Sequence, residues 1–130
     1  MGATFYAGFQ YRDPDAAMDF LERALGFERR EVHRDDDGTI VHAEMAFQGS
    51  VVMLGTAGAG REPFRSVGGS PGLVYCAVDE VDSLYERARE AGADIPLEPM
   101  DTDYGSRDFT VRDPEGNLWA FGTYRPEVES

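Results

Sequence analysis

The octapeptide GSVVMLGT, from Gly49 to Thr56, returns 67 positions later as GNLWAFGT, from Gly116 to Thr123, in a chain of 130 residues. Two glycines and a threonine recur in place, with apolar residues between them. A strand written twice at about half the chain length predicts a duplicated unit, each copy closing on this strand.

The elements before each copy carry the same order. In the first half, Ala3–Tyr11 is rich in aromatics and reads as a strand ended by Arg12-Asp13-Pro14. Asp13 suits a helix cap and Pro14 the first helical position, and the apolar residues Ala17, Phe20, Leu21 and Ala24 follow at helical spacing up to Gly26. Strands are then predicted near Phe27–Arg34, Thr39–Phe47 and Ser50–Gly55, with turns at Asp35–Gly38 and Gln48-Gly49. The second half repeats the plan. A strand at Gly72–Asp79 precedes a helix whose apolar stripe is Val81, Leu84, Tyr85, Ala88 and Ala91, stopped by Gly92. A short strand near Ala93–Leu97, the loop Glu98–Gly105, and strands near Arg107–Arg112 and Leu118–Thr123 complete it. The turn between the last two, Asp113-Pro114-Glu115-Gly116, has proline second and glycine fourth, as a type I turn favours.

These patterns predict one α+β domain of two tandem βαβββ modules. Module one covers about 4–56 and module two about 72–124, with a Gly- and Pro-rich linker at 57–71 and a tail at 125–130. The GTAGAG stretch that opens the linker is a poor phosphate loop, because no helix starts through Arg61-Glu62-Pro63.

Charge narrows the partners. The formal net charge is −13, all 12 basic residues being arginine, and a surface of that sign repels phosphate backbones. Nucleic acid is not an expected partner, whereas a cationic small molecule is steered toward such a field; the acidity also serves solubility. The longest uncharged run, Met45–Gly60, contains four glycines and is shorter than the roughly 20 apolar residues a membrane span needs. With one cysteine, Cys76, and no basic-then-apolar leader, a cytoplasmic protein without membrane association is expected. By strand alternation Cys76 falls with Val74 and Val78 and reads as a small buried hydrophobe, and Trp119 reads as core.

The paired modules, the DPEGN turn with its following strand, the segment Val78–Ala93 and the segment His42–Gly55 together resemble the vicinal oxygen chelate superfamily, which contains glyoxalase I, extradiol dioxygenases and bleomycin-resistance proteins. The resemblance spans about Phe5 to Tyr124. It implies curved mixed sheets around a cavity, in a homodimer. Metal-dependent members take a histidine from the first strand of each module and a glutamate from the last. Matched through the helix starts and the echoed strands, those positions hold Tyr6, Leu73, Met53 and Ala120, a set unsuited to a hard or borderline metal. No metal or other cofactor is therefore expected, and the chain is most similar in type to metal-free, bleomycin-resistance-like members.

Alternation places Tyr6, Gly8 and Gln10 on one face of the first strand and Leu73, Tyr75 and Ala77 on one face of the fifth. Tyr6 and Tyr75 are candidates either for a pocket that takes a planar ligand or for packing between the modules. If Asp37-Gly38 forms a two-residue turn, His33 faces His42 and Glu31 faces Glu44. That grouping is either a solvated hairpin face, a nonstandard metal site of His33, His42 and Glu44, or a general base, His42, held by Glu44. Tyr104 and Arg107 fall near the expected cavity mouth, where Arg107 either binds an anion or pairs with a surface carboxylate.

The function expected is metal-independent binding of a small aromatic or cationic molecule. Its ligand-binding residues would be Tyr6, Gln10, His42, Met53, Leu73, Tyr75, Tyr104, Arg107 and Ala120. The alternative is a lyase, isomerase or dioxygenase-like enzyme using His42 or the nonstandard metal site, and a third possibility is an accessory domain acting through protein contacts.

Overall fold

A computed structural model of the chain describes residues 2–66 and 71–127. Residues 67–70 of the expected linker and 128–130 of the expected tail lie outside the described residues.

Each half folds as the repeated order requires. In module one, β1 (Gly8–Tyr11) leads to α1 (Pro14–Phe20), then to β2 (Glu28–Arg34), β3 (Ile40–Phe47) and β4 (Ser50–Thr56). In module two, β5 (Leu73–Ala77) leads to α2 (Val81–Glu90), β6 (Asp94–Asp101), β7 (Arg107–Arg112) and β8 (Leu118–Gly122). The sheets have the same topology, β1-β4-β3-β2 and β5-β8-β7-β6, with the first and last strands of each module parallel. The echoed strands β4 and β8 thus hold equivalent interior places, each paired on both sides.

Local chemistry sets the ends of α1. The Asp13 carboxylate accepts from the Ala16 amide at 3.1 Å and Pro14 stands at the helix start. The last turn, Leu21–Leu25, widens to π geometry before Gly26 closes it at φ 81°. That widening was not legible in the apolar spacing, since Leu21, Ala24 and Leu25 are buried in either geometry.

Two strands differ from expectation. β1 is shorter at its start: the pairing with β4 begins with the Met53 N–H to Ala7 carbonyl bond at 2.9 Å, and residues 3–6 are exposed. β6 is longer, running to Asp101 through what reads as loop. Its prolines, Pro96 and Pro99, fall within the two register shifts against β7, on the sheet edge, where a missing N–H costs no ladder bond.

One face of each sheet joins a shared core with the helices. Phe9 of β1 stacks on Trp119 of β8 with centroids 4.9 Å apart, Phe27 meets Trp119 edge-on at 5.5 Å, and Phe47 of β3 meets Phe121 of β8 at 6.0 Å. Met18 and Leu21 from the first helix and Val81, Leu84 and Ala88 from α2 close it. Burying each large side chain contributes roughly 2–3 kcal/mol.

The DPEGN turn fastens the modules together. The buried Asp113 carboxylate accepts from Tyr11 Oη at 2.6 Å, Trp119 Nε1 at 3.1 Å, Asn117 Nδ2 at 3.1 Å and the Glu115 and Asn117 amides at 3.0 Å each. The Glu115 carboxylate accepts from the Arg12 and Asp13 amides at 2.7 and 2.8 Å, at the end of β1. A turn of module two therefore satisfies backbone donors of module one. Burial, reinforced by the Asp113 charge, pushes the Tyr11 phenol well above the ordinary tyrosine range.

Candidate functional site

Each sheet turns its other face outward, and strand register makes the two faces comparable. On module one, Gly8 of β1 lies beside Met53 of β4, Glu44 of β3 and Glu31 of β2 in one row. In the next row Gln10 lies beside Gly55, and the step beyond the Ala43–Leu54 pair sets His42 level with them, opposite His33. On module two the matching rows are Tyr75, Ala120 and Thr110, then Ala77, Gly122 and Asp108. His42 and Asp108 are therefore equivalent positions, and so are Met53 and Ala120.

The second glycine of the echo has the same role in both copies. A side chain at Gly55 would bring its Cβ to 3.0 Å from Gln10 Oε1, so the bare backbone lets the Gln10 amide lie across the sheet. A side chain at Gly122 would run into the Asp108 carboxylate and come within 2.7 Å of Tyr75 Oη.

The module-one face floors a cavity of about 520 Å³. Gln10, His42 and Met53 meet there, as three of the candidate residues. Its remaining walls include Val41, Arg61 and Phe64. Arg61 and Phe64 come from the stretch that reads as linker, which curls back over the sheet into a short 3-10 turn at Phe64–Ser66 and is pinned by Arg65 donating to the Gly60 carbonyl at 2.9 Å. Sequence reasoning missed both because an irregular segment carries no periodic signal.

The hairpin cluster forms in the expected pairing, although the turn differs. The Asp35 amide bonds to the Thr39 carbonyl and a register shift follows at His33/Arg34, so a longer turn with a bulge restores the pairs His33–His42 and Glu31–Glu44. The histidine rings stack with centroids 6.1 Å apart. Each imidazole turns to a glutamate of its own strand: His42 Nε2 lies 3.1 Å from Glu44 Oε2, and His33 Nε2 lies 3.3 Å from Glu31 Oε2. The bond to His42, with Arg30 at 3.5 Å, holds the Glu44 carboxyl below the ordinary carboxylate range.

The other candidates are dispersed. Tyr6 is exposed ahead of β1, and Leu73 is 70% exposed at the start of β5. Ala120 is half-buried between Tyr75 and Thr110. Tyr75 borders a separate cleft of about 190 Å³ with Phe5, Cys76 and Trp119. Burial holds the Tyr75 phenol and the Cys76 thiol above their ordinary ranges. Tyr104 donates to Asp108 Oδ2 at 3.2 Å. Arg107 reaches toward α2, pairing with Asp82 at 3.0 Å and Asp101 at 3.1 Å, contacts that raise its guanidinium pKa. Asp108 itself went unnoticed in the sequence; its level with the echoed Gly122 was the available signal.

Two copies of one βαβββ unit, fused in one chain with an open sheet face on each, define a paired-module class of α+β protein. The chain belongs to the glyoxalase/bleomycin resistance protein/dioxygenase superfamily, whose family model matches residues 5–121. The crystal structure of TioX from Micromonospora sp. ML1 is similar over 95% of this chain and 100% of that one, at 34% identity and a TM-score of 0.83. An uncharacterized protein of Mycobacterium tuberculosis strain H37Rv is 33% identical over 124 residues, 89% of this chain and 71% of that protein. A superfamily member from Sphaerobacter thermophilus, 20% identical over 94% of this chain and 97% of its own at a TM-score of 0.73, shares the fold.

The residues matched to the ligand positions of metal-dependent members do not suit a hard or borderline metal. Tyr6, Met53, Leu73 and Ala120 offer one phenol, one thioether and two aliphatic side chains. Among the described residues, no three histidine, cysteine, aspartate or glutamate side chains converge as a metal ion requires. Among those residues, too, no helix is long and apolar enough to cross a membrane.

Proposed function

We propose that this protein binds a small molecule without a metal, taking an aromatic compound against the module-one sheet face. The observation that carries this reading is the 520 Å³ cavity in which Met53, Val41 and Phe64 supply apolar wall while Gln10 and His42 supply the orienting polar groups. Gln10 lies flat over Gly55, so its amide presents a planar donor and acceptor to the edge of a ring. The flat face of Phe64 suits stacking.

The reading extends to a homodimer. Phe5, 97% exposed ahead of β1, and Leu73, 70% exposed at the start of β5, are the apolar side chains that a second copy would cover.

The test is a thermal-shift screen of planar aromatic compounds, with and without amine substituents, followed by recovery of each hit. A binder raises the melting temperature, is recovered unchanged, and loses affinity on Phe64→Ala and Gln10→Ala by roughly tenfold each, as loss of a buried ring contact or hydrogen bond entails. The His42–Glu44 contact at 3.1 Å, with His42 lining the same cavity, favours a second reading in which His42 acts as a general base. Conversion of a bound compound, abolished by His42→Ala, would establish that reading and overturn the first.

A further inference from the structure

The open face of module two carries chemistry of its own. The Asp108 carboxylate lies over Gly122, in the space a side chain there would take. The Ser106 hydroxyl donates to Asp108 Oδ1, and the Tyr104 hydroxyl donates to Oδ2 at 3.2 Å. Ser106 is itself fixed by the Tyr124 amide, which donates to its Oγ at 3.1 Å. Tyr75 donates to the Tyr124 carbonyl at 2.7 Å, and the Tyr104 and Tyr124 rings meet edge to face with centroids 5.7 Å apart. Three tyrosines thus gather around one carboxylate that neutral donors hold in place.

That carboxylate has no cationic partner among the described residues, although Arg107 precedes it and Arg125 follows Tyr124. Arg107 is engaged by Asp82 and Asp101, and Arg125 by Asp79 at 3.3 Å. Tyr104 and Tyr124 are 66% and 47% exposed, so the group is open to a ligand. A carboxylate attracts a cation by charge and aromatic faces attract it by their quadrupole, while neutral Ser and Tyr donors leave the charge uncompensated. The net charge of −13 draws cations to the surface as a whole.

We infer that Asp108, Tyr75, Tyr104 and Tyr124 form a binding site for an organic ammonium group. The inference rests on the small-molecule reading above and names the ligand chemistry of the second face, apart from the first, whose cavity Arg61 and His42 line.

The site is tested by titrating the full chain, uniformly labelled with nitrogen-15, with benzyltrimethylammonium chloride and, separately, with neutral benzyl alcohol, following amide shifts by NMR. The cation is expected to give saturable shifts at Tyr75, Tyr104 to Asp108 and Gly122 to Tyr124, and the alcohol much smaller ones. Asp108→Asn should weaken binding by about tenfold. Gly122→Ala, which displaces the carboxylate without removing it, should weaken it as well. Tyr104→Ala, at an exposed position, tests the aromatic contribution without disturbing the fold. Equal shifts with the alcohol, or an affinity unchanged in Asp108→Asn and Tyr104→Ala, would overturn the site. Shifts confined to Gln10, His42 and Met53 would overturn it too, while leaving binding at module one intact.

Discussion

Tyr11 shows how much one side chain does in this chain. Its ring is fully buried and its hydroxyl reaches across the module boundary to Asp113 at 2.6 Å. Tyr11→Phe removes that donor and should cost about 1–3 kcal/mol at neutral pH, read from urea melts. Because the folded phenol holds its proton above the ordinary tyrosine range, its contribution is complete below the unfolded value of 10.0 and is lost as pH rises toward the folded value. Unfolding free energy should therefore fall by roughly 1.4 kcal/mol per pH unit above about pH 10 on account of this residue. Tyr11→Phe should remove that part of the slope, and an unchanged slope would contradict the assignment. Glu44 works in the opposite sense: its depressed carboxyl favours the fold above the ordinary carboxylate range, and that contribution disappears as pH falls through its folded value. Some single residues were legible before the fold, among them the Asp13 cap, the Gly26 stop and the buried Trp119. Asp108 and Phe64 were not, because their roles depend on which strand or loop comes to lie beside them.

At the scale of elements, the DPEGN turn is the fastening, and its loss should be felt far from the turn. Asp113→Ala leaves the Tyr11 hydroxyl, the Trp119 indole and the Asn117 amide without their shared acceptor. A loss on the order of 3–5 kcal/mol is expected in chemical denaturation, against less than about 0.5 kcal/mol for Asp37→Ala on the exposed β2–β3 turn. Comparable effects from the two would contradict the clamp. The order of elements along the chain and both helices followed from period and punctuation, whereas the strand order within each sheet and the interior place of β4 and β8 emerge only with the fold. The extent of β6 did not, since two prolines disguise an edge strand as loop. The hairpin pairing came out as expected through a different turn, because the bulge at His33/Arg34 offsets the longer connection.

For the whole molecule, a homodimer of about twice 14.4 kDa is expected by size-exclusion chromatography with light scattering, and a monomer after Leu73→Asp with Phe5→Asp. A wild-type monomer across micromolar concentrations would remove that extension. The duplicated architecture was readable from one repeated octapeptide, whereas the site was readable only in part. Gln10, His42 and Met53 meet in one cavity, but its far wall is built by a segment whose composition signals only a connection. Binding without a metal is decided by elemental analysis of the purified, tag-free protein. After incubation with zinc, manganese, iron or nickel salts and desalting, retained metal should stay far below one equivalent per chain and be the same in His42→Ala. Near-stoichiometric metal that His42→Ala or Glu44→Ala abolishes would contradict the account and make the β2–β3 hairpin a metal centre.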